Sequence, residues 1–156
     1  LDSHDTERIL TTAKGDLQSV KSALAFLYLQ RGTPCIYYGT ELALIGGPDP
    51  DCRRVMPWER VSKDHDMLNF MKDLIRLRKE VASMIQLGKI SLEEVEPDVV
   101  AVAWQHEGHI LKAYFNHSKK DVVLESGQAD LISLGSISDD RLIIQPNGFV
   151  IYREGK

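Results

Sequence analysis

Two short polar segments carry the side chains that could do chemistry. The first, residues 3–8 (SHDTER), holds a hydroxyl, an imidazole, carboxylates and a guanidinium within six positions. Adjacent serine, histidine and aspartate do not form a catalytic triad, because triads assemble from distant segments. By composition the segment is interpreted as a polar loop or a helix cap. That interpretation changes if a strand delivers it to the mouth of a barrel, where catalytic groups cluster.

The second segment, residues 46–57 (GGPDPDCRRVMP), is predicted to be a long polar loop. It carries Asp49, Asp51, Arg53 and Arg54. Guanidinium forks and carboxylates in such a loop could bind sugar hydroxyls or phosphate. The alternative is a solvated loop whose charges pair only with one another. Long loops inside compact domains are commonly functional, but from these residues alone the solvated, salt-bridged loop is the favoured interpretation.

The elements that must position these segments are predicted from apolar spacing. A helix is predicted to begin at Asp16 as its N-cap and to end near Gly32. Residues 35–38 (CIYY) are predicted to form a short buried parallel strand, with Cys35 in the packed interior. The helix, the strand and the polar loop would together form one αβ unit.

The rest of the chain changes from helical to strand spacing. Residues 64–83 are predicted to form a helix whose apolar side chains share one face. From about residue 85 apolar residues alternate, which predicts five to seven antiparallel strands with Trp104 in the core. Asn147 and Gly148 are predicted to form the turn of a tight hairpin.

Composition excludes several classes of protein. The chain has 156 residues, a net charge of −4 and 43% hydrophobic residues, which is typical of one ordinary globular domain. It lacks the basic field that attracts nucleic acid or an anionic membrane surface. No apolar run reaches the roughly 18 residues needed for a membrane span, and the first residues do not have the pattern of a signal peptide. Only two cysteines are present, Cys35 and Cys52, and neither is in a C-x-x-C pair. Reduced thiols in a cytoplasmic protein are therefore expected. His106 and His109 are too few to predict a metal site.

Three motifs resemble the α-amylase family of glycoside hydrolases. Residues 1–8 (LDSHDTER) resemble the fourth conserved region of that family, although Ser3 stands where Asn is frequent. Residues 32–41 (GTPCIYYGTE) resemble its eighth-strand motif. Residues 46–59 are similar to the branch of neopullulanases, maltogenic amylases and cyclomaltodextrinases.

The resemblance implies an α+β fragment made of two parts. Residues 1–83 would be the C-terminal end of a TIM (β/α)8 barrel, comprising its last strands and helices. Residues 84–156 would be an antiparallel β-sandwich domain. The first 60 or so residues carry the resemblance by motif, and the remainder agrees by architecture.

The resemblance also implies roles for individual residues. Asp5 would be the carboxylate that stabilises the transition state, and His4, Asp49 and Arg53 would bind substrate. Substrates would be α-glucan oligosaccharides such as cyclodextrin, pullulan or maltooligosaccharides, with no cofactor or metal. The nucleophile and the general acid would lie on the fourth and fifth barrel strands, and only three residues precede His4. We therefore expect a C-terminal portion that hydrolyses nothing by itself; self-association as a homo-oligomer is left open.

Two alternatives compete with this interpretation. Within the same enzyme class, an oligosaccharide α-glucosidase would differ by not cleaving pullulan or cyclodextrin. Outside it, the β-domain could be a non-enzymatic module that binds carbohydrate or contacts another subunit. Trp104, Tyr114 and Tyr152 could then stack on sugars, although the alternating strand favours a core position for Trp104.

Overall fold

The computed structural model describes residues 1–125, 136–138 and 141–154. The chain divides into two compact units. The first comprises Leu1–Tyr28 and Thr33–Arg76, and the second comprises Leu29–Gly32 and Leu77–Lys156. Three stretches of the predicted domain at residues 84–156 lie outside the described residues, namely 126–135, 139–140 and 155–156.

The first unit is helical. Its helices are α1 (Ile9–Thr12), α2 (Leu17–Tyr28) and the part of α3 (Asp66–Glu80) that ends at Arg76. The predicted N-cap is confirmed, since the Asp16 carboxylate accepts the backbone N–H groups of Gln18 and Ser19 at 3.0 and 3.2 Å. Lys21 on α2 pairs with Asp66 at 2.7 Å, which fastens α2 to the start of α3.

The predicted parallel strand at residues 35–38 does not form. These residues adopt neither helix nor strand, and Cys35 is exposed rather than packed in the interior. A strand exists only through the hydrogen bonds of a neighbour, and every strand pair among the described residues is antiparallel and lies in the second unit. Without a partner strand, the β-propensity of this segment is too weak to decide its structure.

The predicted helix at 64–83 is two helices. α3 ends at Glu80, Val81 leaves helical geometry at φ −102° and ψ 16°, and α4 follows over Ala82–Leu87. Backbone bonding continues through the break, because Val81 donates to Leu77 and Ile85 donates to Val81. The apolar side chains predicted to share a face are all buried: Met67, Phe70, Met71, Leu74, Leu77 and Val81.

The second unit is built on two antiparallel sheets. Its strands in chain order are β1 (Lys89–Glu96), β2 (Val99–His106), β3 (His109–Asn116), β4 (Val122–Glu125), β5 (Ser136–Ser138), β6 (Arg141–Ile144) and β7 (Phe149–Glu154). One sheet has the order β1-β2-β3-β7 and the other β4-β6-β5. The predicted change to antiparallel strand structure after residue 85 is confirmed.

A shared apolar cluster joins these two sheets. Leu142 and Ile144 of β6 pack with Val150 and Tyr152 of β7. The turn predicted at Asn147 forms, with φ +55° there and the N–H of Gly148 donating to the Gln145 carbonyl at 2.8 Å.

The predicted hairpin around that turn is wrong. β6 pairs with β4 and β5, whereas β7 pairs with β3. Separating the two strands into different sheets lets their apolar side chains face one another, and this burial outweighs the local preference of the turn for a hairpin.

Candidate functional site

His4 and Asp5 occupy the tip of a tight polar turn. The N–H of Ser3 donates to Thr6 Oγ1 at 2.9 Å, and the N–H of Asp5 donates to Ser3 Oγ at 3.1 Å. Neighbouring side chains diverge in a strand, but a turn lets them meet. His4 Nε2 lies 3.1 Å from Asp5 Oδ2, with about two thirds of each side chain exposed (65% and 68%). Both side chains therefore face solvent and can form further hydrogen bonds.

Arg53 contacts the other three predicted site residues at this turn. Its Nε donates to the backbone carbonyl of His4 at 2.9 Å and lies 2.9 Å from Asp49 Oδ1. Its Nη2 lies 3.8 Å from Asp5 Oδ1. The structure thus brings together all four residues that the sequence singled out, from two segments more than forty positions apart in the chain.

The loop that carries Arg53 is braced by Asp51. The N–H of Gly47 donates to Asp51 Oδ2 at 2.7 Å, and Arg54 donates to both carboxylate oxygens at 2.7 and 2.9 Å. The hydrogen bonds from Arg54 and then from Gly47 lower the pKa of Asp51 below its ordinary value. With both oxygens already engaged, Asp51 shapes the loop, whereas Asp49 and Arg53 remain half-exposed and can contact a ligand.

Cys52 links the loop to the His4–Asp5 turn through its buried side chain. It is fully buried, and its thiol donates a weak hydrogen bond to the His4 carbonyl at 3.3 Å. That carbonyl thus accepts from two consecutive residues of the loop, Cys52 and Arg53. The backbone of the turn is therefore held while its side chains stay open to solvent.

Sequence reasoning missed the buried pair beneath the turn, Asp2 and Arg8. Arg8 is completely enclosed and Asp2 almost so, with their charged groups 3.9 Å apart. Arg8 belongs to the polar segment at residues 3–8, which was interpreted as a loop or a helix cap, and Asp2 lies just before that segment. The one available sequence signal is the aromatic pair Tyr37 and Tyr38, because a guanidinium is commonly buried against aromatic faces.

The structure offers limited support for other chemistry. No cluster of three His, Cys, Asp or Glu side chains within the described part of the chain could hold a metal ion. His106 and His109 are cross-strand neighbours at the turn between β2 and β3. Over the same described residues, none of the helices has both the length and the apolar character needed to cross a bilayer.

The aromatic residues of the β-domain do not form a sugar platform. Trp104 is 0% exposed, which confirms its predicted core position, and Tyr152 is 2% exposed. Tyr114 is partly buried and stacks on Tyr152 with ring centroids 6.0 Å apart. Stacking on a sugar needs an open ring face, so these three residues do not supply the surface that a carbohydrate-binding module would use.

Comparison with known proteins finds a family profile and individual relatives that match this chain. The family profile described as "Alpha amylase, catalytic domain" matches residues 1–84. The chain is 35% identical to an intracellular maltogenic amylase of Bacillus subtilis, over 97% of this chain and 28% of that protein. It is 38% identical to neopullulanase 2 of Thermoactinomyces vulgaris, over 80% of this chain and 22% of that protein.

A solved structure agrees with this comparison. The structure of a cyclomaltodextrinase superimposes on 99% of the chain with a TM-score of 0.76 and 29% sequence identity. The aligned part is 29% of that protein. The chain therefore spans less than a third of each of these three proteins.

Proposed function

This chain belongs to the α-amylase family. From that premise we propose that its first unit carries the part of the active site of an α-glucan hydrolase that binds a glucose ring. The observation that supports this most directly is the cluster around Arg53, which contacts the His4 carbonyl, the Asp49 carboxylate and, at 3.8 Å, the Asp5 carboxylate. A sugar offers many hydroxyl groups in a fixed ring, and an exposed set of donors and acceptors of this kind can bind several at once.

In this proposal Asp5 stabilises the transition state. As the glucose ring flattens toward an oxocarbenium ion, an ionised carboxylate that accepts hydrogen bonds from its 2- and 3-hydroxyls binds it more tightly. An interaction that strengthens only in the transition state raises kcat rather than merely lowering KM. His4 hydrogen-bonds hydroxyls of the same ring, while Asp49 and Arg53 hold the neighbouring glucose unit.

The 156 residues by themselves are proposed not to hydrolyse glucans. A retaining glycosidase needs a nucleophilic carboxylate and a general acid about 5–5.5 Å apart. The family resemblance implies that both lie on the fourth and fifth barrel strands, and Glu7, Glu41 and Glu59 match neither motif. We propose that residues 1–83 are the end of the (β/α)8 barrel and residues 84–156 an all-β domain of sandwich type, as the likeness to the cyclomaltodextrinase structure supports.

Cyclodextrins, pullulan and maltooligosaccharides are the proposed substrates of the longer enzyme. The names of the relatives, a maltogenic amylase, a neopullulanase and a cyclomaltodextrinase, support this class. The name of the Bacillus subtilis relative also supports a cytoplasmic location. An oligosaccharide α-glucosidase remains the nearest alternative, and failure to cleave cyclodextrin or pullulan would favour it.

A chimera tests the proposed roles. This chain would replace the matching segment of the Bacillus subtilis relative, with and without Asp5→Asn. We expect the chimera to cleave cyclodextrin and Asp5→Asn to lower kcat by about 100-fold or more, with a much smaller change in KM. Glu94→Gln, which removes an exposed carboxylate from β1, is the control and should leave both constants unchanged.

Two results would contradict the proposal. One is a normal kcat in the Asp5→Asn chimera, which would remove the transition-state role of Asp5. The other is release of reducing sugar by the 156-residue chain alone, purified free of other enzymes, because the chain would then contain its own acid pair.

A further inference from the structure

Arg8 is a charged side chain with no exposed surface. Its guanidinium carbon lies 4.1 Å from the ring centroid of Tyr37 and 4.7 Å from that of Tyr38. Its Nη1 donates to the Tyr38 carbonyl at 2.6 Å. Burial, and then the hydrogen bond with Tyr38, raise the pKa of the Tyr37 hydroxyl, so the Tyr37 ring that faces the cation is neutral. Aromatic faces partly offset the cost of taking a cation out of water.

The same residue contacts both segments of the proposed site. The backbone N–H of Arg8 donates to the Gly46 carbonyl at 2.9 Å, where the 46–54 loop begins. Its Nη1 lies 3.9 Å from the carboxylate of Asp2, just before the His4–Asp5 turn. That carboxylate also accepts from Thr40 Oγ1 at 3.0 Å, which adds a third segment.

A purely space-filling role does not account for an arginine here. Within the described part of the chain, its Nε and Nη2 have no hydrogen-bond partner, and unpaired buried donors destabilise a fold. An apolar side chain of similar volume would avoid that cost. Such a side chain could not hold the Tyr38 carbonyl and the Asp2 carboxylate at the same time.

We infer that Arg8 is a positioning residue for the proposed substrate site. It sets the start of the His4–Asp5 turn against the start of the 46–54 loop, and this is what lets Arg53 reach the His4 carbonyl. The inference rests on the proposed function for what the positioned side chains bind. The positioning itself can be measured without any ligand.

The test compares the 156-residue chain with Arg8→Met, Arg8→Lys and, as the matched control, Arg76→Met. Arg76 is exposed on α3 and pairs only with Asp73 in the described contacts. Backbone amide resonances report the positions of His4, Asp5 and Arg53, and titration with maltotriose reports binding. We expect Arg8→Met to displace these three resonances and to raise the Kd for maltotriose about tenfold. Resonances of β2 and β3 should stay in place, which a general loss of stability would not produce.

Arg8→Lys should not restore the wild-type Kd for maltotriose. Lysine keeps the positive charge, but it lacks the flat guanidinium face that lies against the rings of Tyr37 and Tyr38 while Nη1 donates to the Tyr38 carbonyl. A Kd equal to that of the wild type in Arg8→Lys would overturn the inference. Unchanged amide resonances for His4 and Asp5 in Arg8→Met, or their collapse to random-coil positions in the wild-type chain, would also overturn it.

Thr40→Val keeps the inference testable if Arg8→Met does not fold. It removes only the hydroxyl that donates to Asp2, so it should displace the His4 and Asp5 resonances in the same direction by a smaller amount. Unchanged resonances in that variant would overturn the inference. A normal kcat in the Asp5→Asn chimera, together with displaced resonances in Arg8→Met, would contradict the proposed function while supporting the positioning role.

Discussion

Arg53 Nε donates a hydrogen bond to the backbone carbonyl of His4 at 2.9 Å, across 49 positions of the chain. The same nitrogen lies 2.9 Å from Asp49 Oδ1 within its own loop. One guanidinium therefore orients the backbone of one segment and a side chain of the other. Because Arg53 remains 47% exposed, its side chain is also accessible to a ligand.

Replacing Arg53 by lysine should weaken glucan binding. The lysine ammonium is a point charge that cannot keep the geometry of the guanidinium fork, so the His4 carbonyl and Asp49 would no longer share one planar donor. We expect the Kd for maltotriose to rise about fivefold in Arg53→Lys, measured by amide titration. Arg76→Lys serves as the control, and an equal Kd in Arg53→Lys and the wild type would contradict the role of Arg53.

Asp51 should contribute a pH-dependent part of stability. The hydrogen bonds from Arg54 and Gly47 lower its pKa in the folded chain from the ordinary value of 3.8. A lowered folded pKa means that the stabilisation is present above pH 3.8 and is lost as the pH falls through the folded pKa. The effect should be small, because 44% of the side chain is exposed and solvent screens the charge.

Thermal unfolding of Asp51→Asn checks this sign. The melting temperature of the variant should lie below that of the wild type by a constant amount between about pH 5 and pH 7. The difference should shrink below pH 3.8. Glu94→Gln reports the effect of removing an exposed carboxylate elsewhere. A difference that grows toward acid pH would contradict the expected direction.

Adjacent glycines of the loop should respond differently to alanine. A Cβ on Gly46 would lie 2.6 Å from the Asp51 carbonyl oxygen and 3.0 Å from Cys52 Cα, and neither backbone atom can move aside freely. A Cβ on Gly47 would meet only the Asp51 carboxylate, at 3.5 Å. Gly46→Ala should therefore displace the loop and cost about 1–3 kcal/mol of unfolding free energy.

Gly47→Ala is the matched control for that substitution. It should be nearly neutral in urea unfolding and should leave the amide resonances of His4 and Arg53 in place. Equal stability of the two alanine variants would show that the close approach at Gly46 does not constrain the loop.

Trp104 should contribute more to the free energy of unfolding than Leu92, another apolar residue of the β-domain. It is fully buried on β2, so Trp104→Ala should cost about 3–5 kcal/mol through lost burial and the cavity left behind. Leu92 on β1 is 68% exposed, and Leu92→Ala should cost less than about 0.5 kcal/mol. Urea unfolding followed by circular dichroism measures both, and similar costs would contradict the assigned core.

Local patterns predicted the elements whose stability depends on near neighbours. Asp16 caps a helix because its carboxylate reaches the N–H groups two and three positions along. The alternation around Trp104 predicted a strand because both faces of β2 carry apolar side chains. In these cases the pattern that decides the structure lies within a single helix end or a single strand.

Local patterns failed where the partner is distant. Residues 35–38 have strand propensity, yet no ladder partner pairs with them among the described residues, and they form no strand. Asn147 makes its turn, yet the two strands it joins belong to different sheets. Turn chemistry sets the backbone of a few residues, whereas strand pairing depends on which apolar faces are buried together.

The sequence by itself determined which side chains are proposed to bind a sugar, because the motifs that contain His4, Asp5, Asp49 and Arg53 are continuous in it. Only the tertiary structure decided that Arg53 joins these residues and that Arg8 lies enclosed beneath them. The physical reason is that hydrogen bonding and burial across forty positions depend on the path of the backbone. Residue type and spacing along a short segment carry no record of that path.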